Sequence, residues 1–263
     1  MGDDPLAVAL FLSARLGRPL LLEGEAGVGK TDVARCVAAA AGARLIALHC
    51  HEGIDAASAL YDWDYRRQLL ALRSSAIGTS EGGRELYSRE YLIRRPLLEA
   101  VEAEPPVVLL IDDVDRAAEH FEALLLELLA DNRITIPEIG TISAEFLPLV
   151  ILTSNRTREL HDALKRRCLY HWIEYPSPGR EREIVAARCP GVDEAIAERV
   201  CHAVARLRSE DLYKPPGVGE TLAWTEALDA LGPATTLDET LGVVLKVRED
   251  IEHVRGSGVL DGL

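Results

Sequence analysis

The run Gly24-Glu25-Ala26-Gly27-Val28-Gly29-Lys30-Thr31 fits the spacing G-x-x-x-x-G-K-[ST] at every required position. Glycines at that spacing let successive backbone N–H groups turn toward phosphate oxygens. Lys30 adds a full positive charge, and Thr31 adds a hydroxyl for Mg²⁺. This chemistry is the capture of a nucleoside triphosphate with Mg²⁺. A second set of groups separates hydrolysis from capture. Asp112 and Asp113 follow the apolar run Val107-Val108-Leu109-Leu110-Ile111. The first carboxylate is suited to the Mg²⁺ hydration shell beside Thr31, and the second to polarising an attacking water.

Two further groups extend the set. Asn155 closes Thr153-Ser154-Asn155 and can orient a water against the γ-phosphate, provided its strand lies between the acidic strand and the phosphate loop. Arg166 and Arg167 precede Cys168. An arginine placed in a neighbour's nucleotide site stabilises the charge on the transferred phosphate, which makes hydrolysis depend on assembly, and Arg167 is the favoured one of the two. His49-Cys50-His51 holds metal-ligand types, but neighbours on a strand point to opposite faces, so zinc is not expected. Tyr61 and Tyr65 lie one helical turn apart and are expected to form a packed stripe.

These groups need an α/β frame. Pro19–Leu22 reads as a buried strand entering the phosphate loop, and 32–41 as the helix leaving it, whose N-terminus adds partial positive charge. Further strands are expected at 44–50, 107–111, 147–155 and 169–175, giving a mostly parallel five-stranded sheet with helical crossovers. An opening helix is expected from Asp4 and Pro5 to Gly17, with Leu6, Leu10 and Ala14 on its apolar face. Residues 52–95 read as helices with a flexible excursion through Gly78–Gly83. Residues 134–142 read as a β-hairpin that projects from the sheet. After Pro176 the chain turns helical, with Ser177 as cap, Ile196, Val200, Val204 and Leu207 on one face, and two more helices after Lys214-Pro215-Pro216-Gly217. The expected domains are a nucleotide-binding core at 1–176 and a small α-helical lid at 177–263.

Composition narrows the partners. The chain has 263 residues and a net charge of −14, which argues against a broad nucleic-acid surface, because phosphate backbones are held by clustered Lys and Arg. Five cysteines without a C-x-x-C pair fit free thiols in a reducing compartment. Asp3 and Asp4 stand where a secretory leader needs basic residues, and no apolar run reaches the roughly 18 residues of a membrane span. A cytoplasmic protein is expected.

The order of phosphate loop, Asp-Asp strand end, hairpin, Thr-Ser-Asn strand, Arg-Arg-Cys and helical lid resembles the AAA+ ATPases across nearly the whole chain. The inserts at 52–95 and 134–142 look like those of the MoxR branch. Within that branch, Thr135-Ile136-Pro137-Glu138-Ile139-Gly140-Thr141 and the run from Thr153-Ser154-Asn155 through Arg166-Arg167-Cys168 to His171-Trp172 are similar to the accessory ATPases of aerobic carbon monoxide dehydrogenase. The resemblance implies a homo-oligomeric, hexameric ring that turns over ATP to remodel a client. It also implies that the client is a molybdenum and copper hydroxylase and that a von Willebrand A domain protein is a partner. Two departures accompany it. Asp113 stands where such proteins commonly carry Glu, which draws the carboxylate back by roughly 1.5 Å and implies slow turnover. Gly217-Val218-Gly219-Glu220-Thr221 lacks the arginine that many lids present to the nucleotide, although Arg206 and Arg208 are near in sequence. A nucleotide-dependent scaffold is therefore the alternative to a motor, and a small-molecule kinase is disfavoured by the hairpin and the lid.

Overall fold

The apolar runs read as strands form one sheet in the structure, a computed structural model that describes residues 4–74, 86–232 and 234–263. In chain order the elements through the sheet are α1 (Asp4–Leu16), β1 (Leu20–Gly24), α2 (Lys30–Ala41), β2 (Arg44–His49), α3 (Ala56–Ala59), β3 (Tyr61–Trp63), α4 (Tyr65–Ser74), β4 (Leu92–Arg94), α5 (Pro96–Glu102), β5 (Val107–Asp112), α6 (Glu119–Asp131), β6 (Arg133–Ile136), β7 (Gly140–Ser143), β8 (Leu149–Ser154), α7 (Asp162–Lys165) and β9 (Leu169–Ile173). The five-stranded sheet runs β2-β5-β8-β1-β9, and the β2–β5, β5–β8 and β1–β8 pairs are parallel. Every residue of β1 and β5 is buried, which is why Leu20–Leu22 and Val107–Ile111 read as unbroken apolar runs: parallel strands covered on both faces have no solvent side to keep polar. The condition set on Asn155 is met, because β8 lies between β5 and β1.

The chain divides into two compact units, one holding the residues up to Gly24 and Lys30–Trp172, the other Glu25–Gly29 and Ile173–Leu263. In the first unit a continuous core joins Leu21, Leu109, Ile111 and Leu152 of the sheet to Leu97, Leu98, Phe121 and Leu125 of α5 and α6. The hairpin β6–β7 forms as expected and stays outside the sheet, but it does not stand free. Ile134, Ile136 and Ile142 are buried in that same core, so the alternation of the hairpin gives it a packed face and an exposed one.

The segment 52–95 departs further from expectation. Besides helical pieces it contains β3 and β4, an antiparallel pair with Trp63 opposite Leu92. Strands of three residues offer no readable period, and their pairing bridges distant parts of the chain. Tyr61 and Tyr65 form no stripe: Tyr61 lies in β3 edge-on to Trp63, whereas Tyr65 opens α4 and is exposed. The expected excursion at Gly78–Gly83 lies outside the described residues. On α1, Leu6 and Ser13 are the buried positions, whereas Ala14 is exposed, so the inward face is rotated from the one expected.

The second unit contains α8 (Pro178–Arg188), α9 (Glu194–Leu207), α10 (Val218–Leu231), α11 (Leu241–Val244) and α12 (Arg248–Ser257). Ser177 caps α8 by accepting the Arg180 N–H at 3.3 Å. Val200, Val204 and Leu207 of α9 pack with Trp224 and Leu228 of α10, and the Trp224 indole N–H donates to Thr240 Oγ1 at 2.7 Å. Beyond Gly217 the structure adds the short α11 and a 3₁₀ turn to the two helices expected, because Leu237, Leu241 and Val244 fill the space over Trp224. The buried Asp250 carboxylate accepts the Tyr213 and Lys214 N–H groups and so secures the break before Pro215. No helix among the described residues is long and apolar enough to cross a membrane.

Candidate active site

The carboxyl ends of β5 and β8 and the start of α2 bring the expected pair Thr31 and Asp112 together, with Thr153 and His49 beside them. The Thr31 hydroxyl donates to Asp112 Oδ1 at 2.8 Å, and the Thr153 hydroxyl donates to the same oxygen at 2.7 Å. His49, opposite Asp112 in the β2–β5 register, places Nδ1 at 3.1 Å from Oδ2. A hydroxyl and an acceptor carboxylate side by side supply hard oxygen ligands of the kind Mg²⁺ takes. His49 and Cys50 diverge as strand neighbours should: His49 is exposed toward Asp112, whereas Cys50 is buried and its thiol is pushed up to about 12, by burial first and by Asp112 second. Lys30 is buried, and its ammonium donates to the Gly24 carbonyl across the loop at 2.8 Å.

Asp113 and Asn155 are also brought together. Asn155 Nδ2 donates to Asp113 Oδ1 at 2.6 Å, and the Asp113 N–H donates to Thr153 Oγ1 at 2.9 Å. Thr153 therefore ties both acidic residues to β8. Asp113 has φ +55° and Arg156, next to Asn155, has φ +56°; the left-handed region costs an ordinary residue about 1 kcal/mol, so strain sits on one member of this pair and beside the other. Burial and then the Asp112 charge hold the Asp113 carboxyl above its ordinary 3.8, against the opposing pull of Arg116. A carboxylate raised in this way is a better proton acceptor than an exposed one.

Asp115, which no motif in the sequence marks, holds this arrangement in place. It is buried, and its carboxylate accepts the Asn155 N–H at 3.2 Å, the Thr157 N–H at 2.8 Å and the Thr157 hydroxyl at 2.7 Å. The one available signal was a third acid in Asp112-Asp113-Val114-Asp115, too short a pattern to assign a role.

The apex of the phosphate loop has its own constraint within the second unit. The Val218 N–H donates to the Gly27 carbonyl at 2.8 Å, and a Cβ on Gly27 would stand 2.8 Å from Gly217 Cα. Gly27 also has φ +79°, so no side chain fits there by either criterion. The lid arginines suggested by sequence are engaged elsewhere. Arg208 makes a buried two-pronged pair with Glu181 at 2.6 and 2.9 Å and lies 4.3 Å over the Tyr175 ring, whereas Arg206 donates to the carbonyls of Val259 and Asp261. Both hold the helical unit together.

Arg166 and Arg167 are not brought to the Asp113 cluster. They follow α7, where Leu164 and Cys168 turn inward; both side chains are exposed and have no partner among the described residues. Such groups are free to meet a surface outside the subunit.

The comparisons agree with this geometry at the level of the fold. The chain is 29 % identical over 169 residues to a protein of Pyropia yezoensis described as a ClpA homologue, the ATP-binding subunit of the ATP-dependent Clp protease, and 28 % identical to its counterpart in Porphyra purpurea. Those matches cover 59 % of this chain and 18 % of the relatives' length. Among solved structures it is similar to the RuvB Holliday junction branch migration motor of Thermotoga maritima, with TM-score 0.52 and 16 % identity over 98 % of this chain and 70 % of that one, a likeness of fold alone. The family model described as the AAA domain, dynein-related subfamily, matches residues 19–168, a stretch that opens just before β1 and ends at Cys168 after the arginine pair. Because that match takes in Lys30, Asp112, Asp113 and Asn155 within more than half of the chain, this chain belongs to the AAA domain family, dynein-related subfamily.

Proposed function

We propose that the chain is an ATPase of a homo-oligomeric, hexameric ring that uses ATP to remodel a client protein. The observation that carries this reading is the junction of Thr31, Asp112, Asp113 and Asn155 at adjacent strand ends. Gly24 to Gly29 cradle the phosphates with backbone N–H groups, and Lys30 leaves the Gly24 carbonyl to meet their negative charge. Thr31 and Asp112 would hold Mg²⁺, which would supply neutralisation of phosphate charge. Asp113 takes the proton of a water that Asn155 helps to orient, and Arg167, with Arg166 beside it, enters the site of the next subunit. Residues 1–176 act as the nucleotide-binding core and 177–263 as the lid.

For the client, the resemblance of residues 135–141 and 153–172 to CoxD-type members of the MoxR branch supports maturation of the metal centre of a molybdenum and copper carbon monoxide dehydrogenase in the cytoplasm, with a von Willebrand A domain partner. The likeness to Clp ATP-binding subunits supports protein remodelling in general. Cells whose chain carries Lys30→Ala are expected to make the dehydrogenase with an incomplete metal centre and no carbon monoxide oxidation. A fully active dehydrogenase in those cells refutes the client.

One observation favours a second reading, a scaffold that holds ATP more than it spends it. The short Asp113 side chain is engaged by Asn155 at 2.6 Å and carries one methylene fewer than Glu. Asp113→Glu separates the two: turnover and client activation rising together support the motor, and turnover rising alone supports the scaffold.

A further inference from the structure

The helix α7 has only four residues, too few to hold its own orientation, yet it ends at the two arginines assigned to the neighbouring subunit. Charged side chains pin both of its ends. At the start, the Glu122 carboxylate accepts the His161 N–H at 2.8 Å. At the finish, Arg18 reaches across 148 residues of sequence: its Nη2 donates to the Arg166 carbonyl at 2.8 Å, and its Nε donates to the Arg167 carbonyl at 3.3 Å.

Arg18 is itself delivered with care. Gly17, at φ +62°, ends α1, the Ser13 hydroxyl donates to the Arg18 carbonyl at 2.6 Å, and the Arg18 N–H returns to the Ser13 carbonyl at 3.2 Å. One residue on, the Pro19 carbonyl accepts the Leu169 N–H at 2.7 Å, which ties the entry of β1 to the entry of β9. We infer that Arg18 is the positioning residue for the Arg166–Arg167 pair, an inference that rests on the proposal that the pair acts on the neighbouring subunit. A planar guanidinium can hold two successive carbonyls at once, and fixing those two peptide units fixes the directions in which the side chains of Arg166 and Arg167 leave the surface. The Arg18 head is taken up by the two carbonyls, while the side chains of Arg166 and Arg167 are exposed.

The test separates giving an arginine from receiving one. Subunits with Lys30→Ala cannot use their own phosphate loop but still present the pair, so they serve as donors; subunits with Arg167→Ala serve as acceptors. Mixing the two is expected to restore ATP hydrolysis, assembly being checked by light scattering. Donors with Lys30→Ala and Arg18→Ala are expected to restore roughly tenfold less, the scale of a misplaced catalytic group. Donors with Arg18→Lys, able to hold one carbonyl only, fall between. The same Arg18→Ala change in the acceptor is expected to cost much less than in the donor, a direction that a general folding defect cannot produce. Equal restoration by both donors overturns the role of Arg18 while keeping that of the pair, and so do equal losses in donor and acceptor. Failure of the parent donors to restore any activity overturns the arginine pair and Arg18 with it.

Discussion

The strand ends and the end of α7 are built in opposite ways. Around Asp112 the carboxylate oxygens meet Thr31, Thr153 and His49, and Asp113 meets Asn155; all of these groups but the exposed His49 are buried or half-buried, and they face one another. At Arg166 and Arg167 the backbone is held as firmly, by Arg18, but the side chains meet nothing among the described residues. In the first region the polar groups fix one another's directions, as electrostatic stabilisation of a transition state requires. The second pays no desolvation until a partner covers it. Polar groups paired within the chain and cations left unpaired beside a fixed backbone are what the proposed division of the site between two copies requires.

The comparison can be broken at either end, and the expected effects fall in order. Lys30→Ala removes the full charge from the phosphate loop and is expected to lower ATP turnover by at least about 100-fold with loss of nucleotide affinity, measurable by phosphate release and by titration of a fluorescent nucleotide. Asp113→Asn is expected to cost about 100-fold in kcat while nucleotide binding persists, because the amide keeps the size but cannot take a proton. Asp115→Ala is expected to lower kcat about tenfold and stability by about 1–3 kcal/mol, since the N–H groups of Asn155 and Thr157 lose a common acceptor; thermal melting read beside kcat checks both. If Asp115→Ala melts normally and turns over normally, the tight construction of the first region has no functional meaning.

The smallest effect is a shift in pH dependence. Asp113 must be ionised to act as a base, and burial with Asp112 raises its pKa, so the acid limb of kcat should lie above the ordinary 3.8. Arg116 Nε stands 3.4 Å from Asp113 and opposes that rise, so Arg116→Ala should move the limb to higher pH, only slightly because Arg116 is largely exposed. The linked stability effect has a definite sign. The folded state holds this proton more tightly than the unfolded chain, so the stabilising contribution of protonated Asp113 is fully present below 3.8 and is lost as pH rises through the folded pKa.

Much of this was legible in the sequence because buried parallel strands write themselves as continuous apolar runs. The phosphate loop and β5 show this most clearly, with Asp112 at the point where burial ends. The position of β8 between β5 and β1 was less accessible, because chain order does not give sheet order; only the roles of Asp113 and Asn155 suggested it. β3 and β4 were missed because three-residue strands carry no period, and Tyr65 was misplaced because helical spacing from Tyr61 means nothing when Tyr61 lies in a strand. The links through Asp115, Arg18 and Arg208 were invisible for a different reason. Each joins residues far apart in the chain through a side chain whose type, taken alone, is most often a solvated surface group.

The most direct test of a divided site is the specific ATPase activity of the parent and of Arg167→Ala, followed from dilute subunits to full assembly with mass measured at each concentration. The account predicts that the specific activity of the parent climbs as subunits associate and then levels off, while Arg167→Ala associates over the same range and stays near the dilute value. A parent whose specific activity is unchanged from monomer to assembly, or an Arg167→Ala variant that rises with it, contradicts the account.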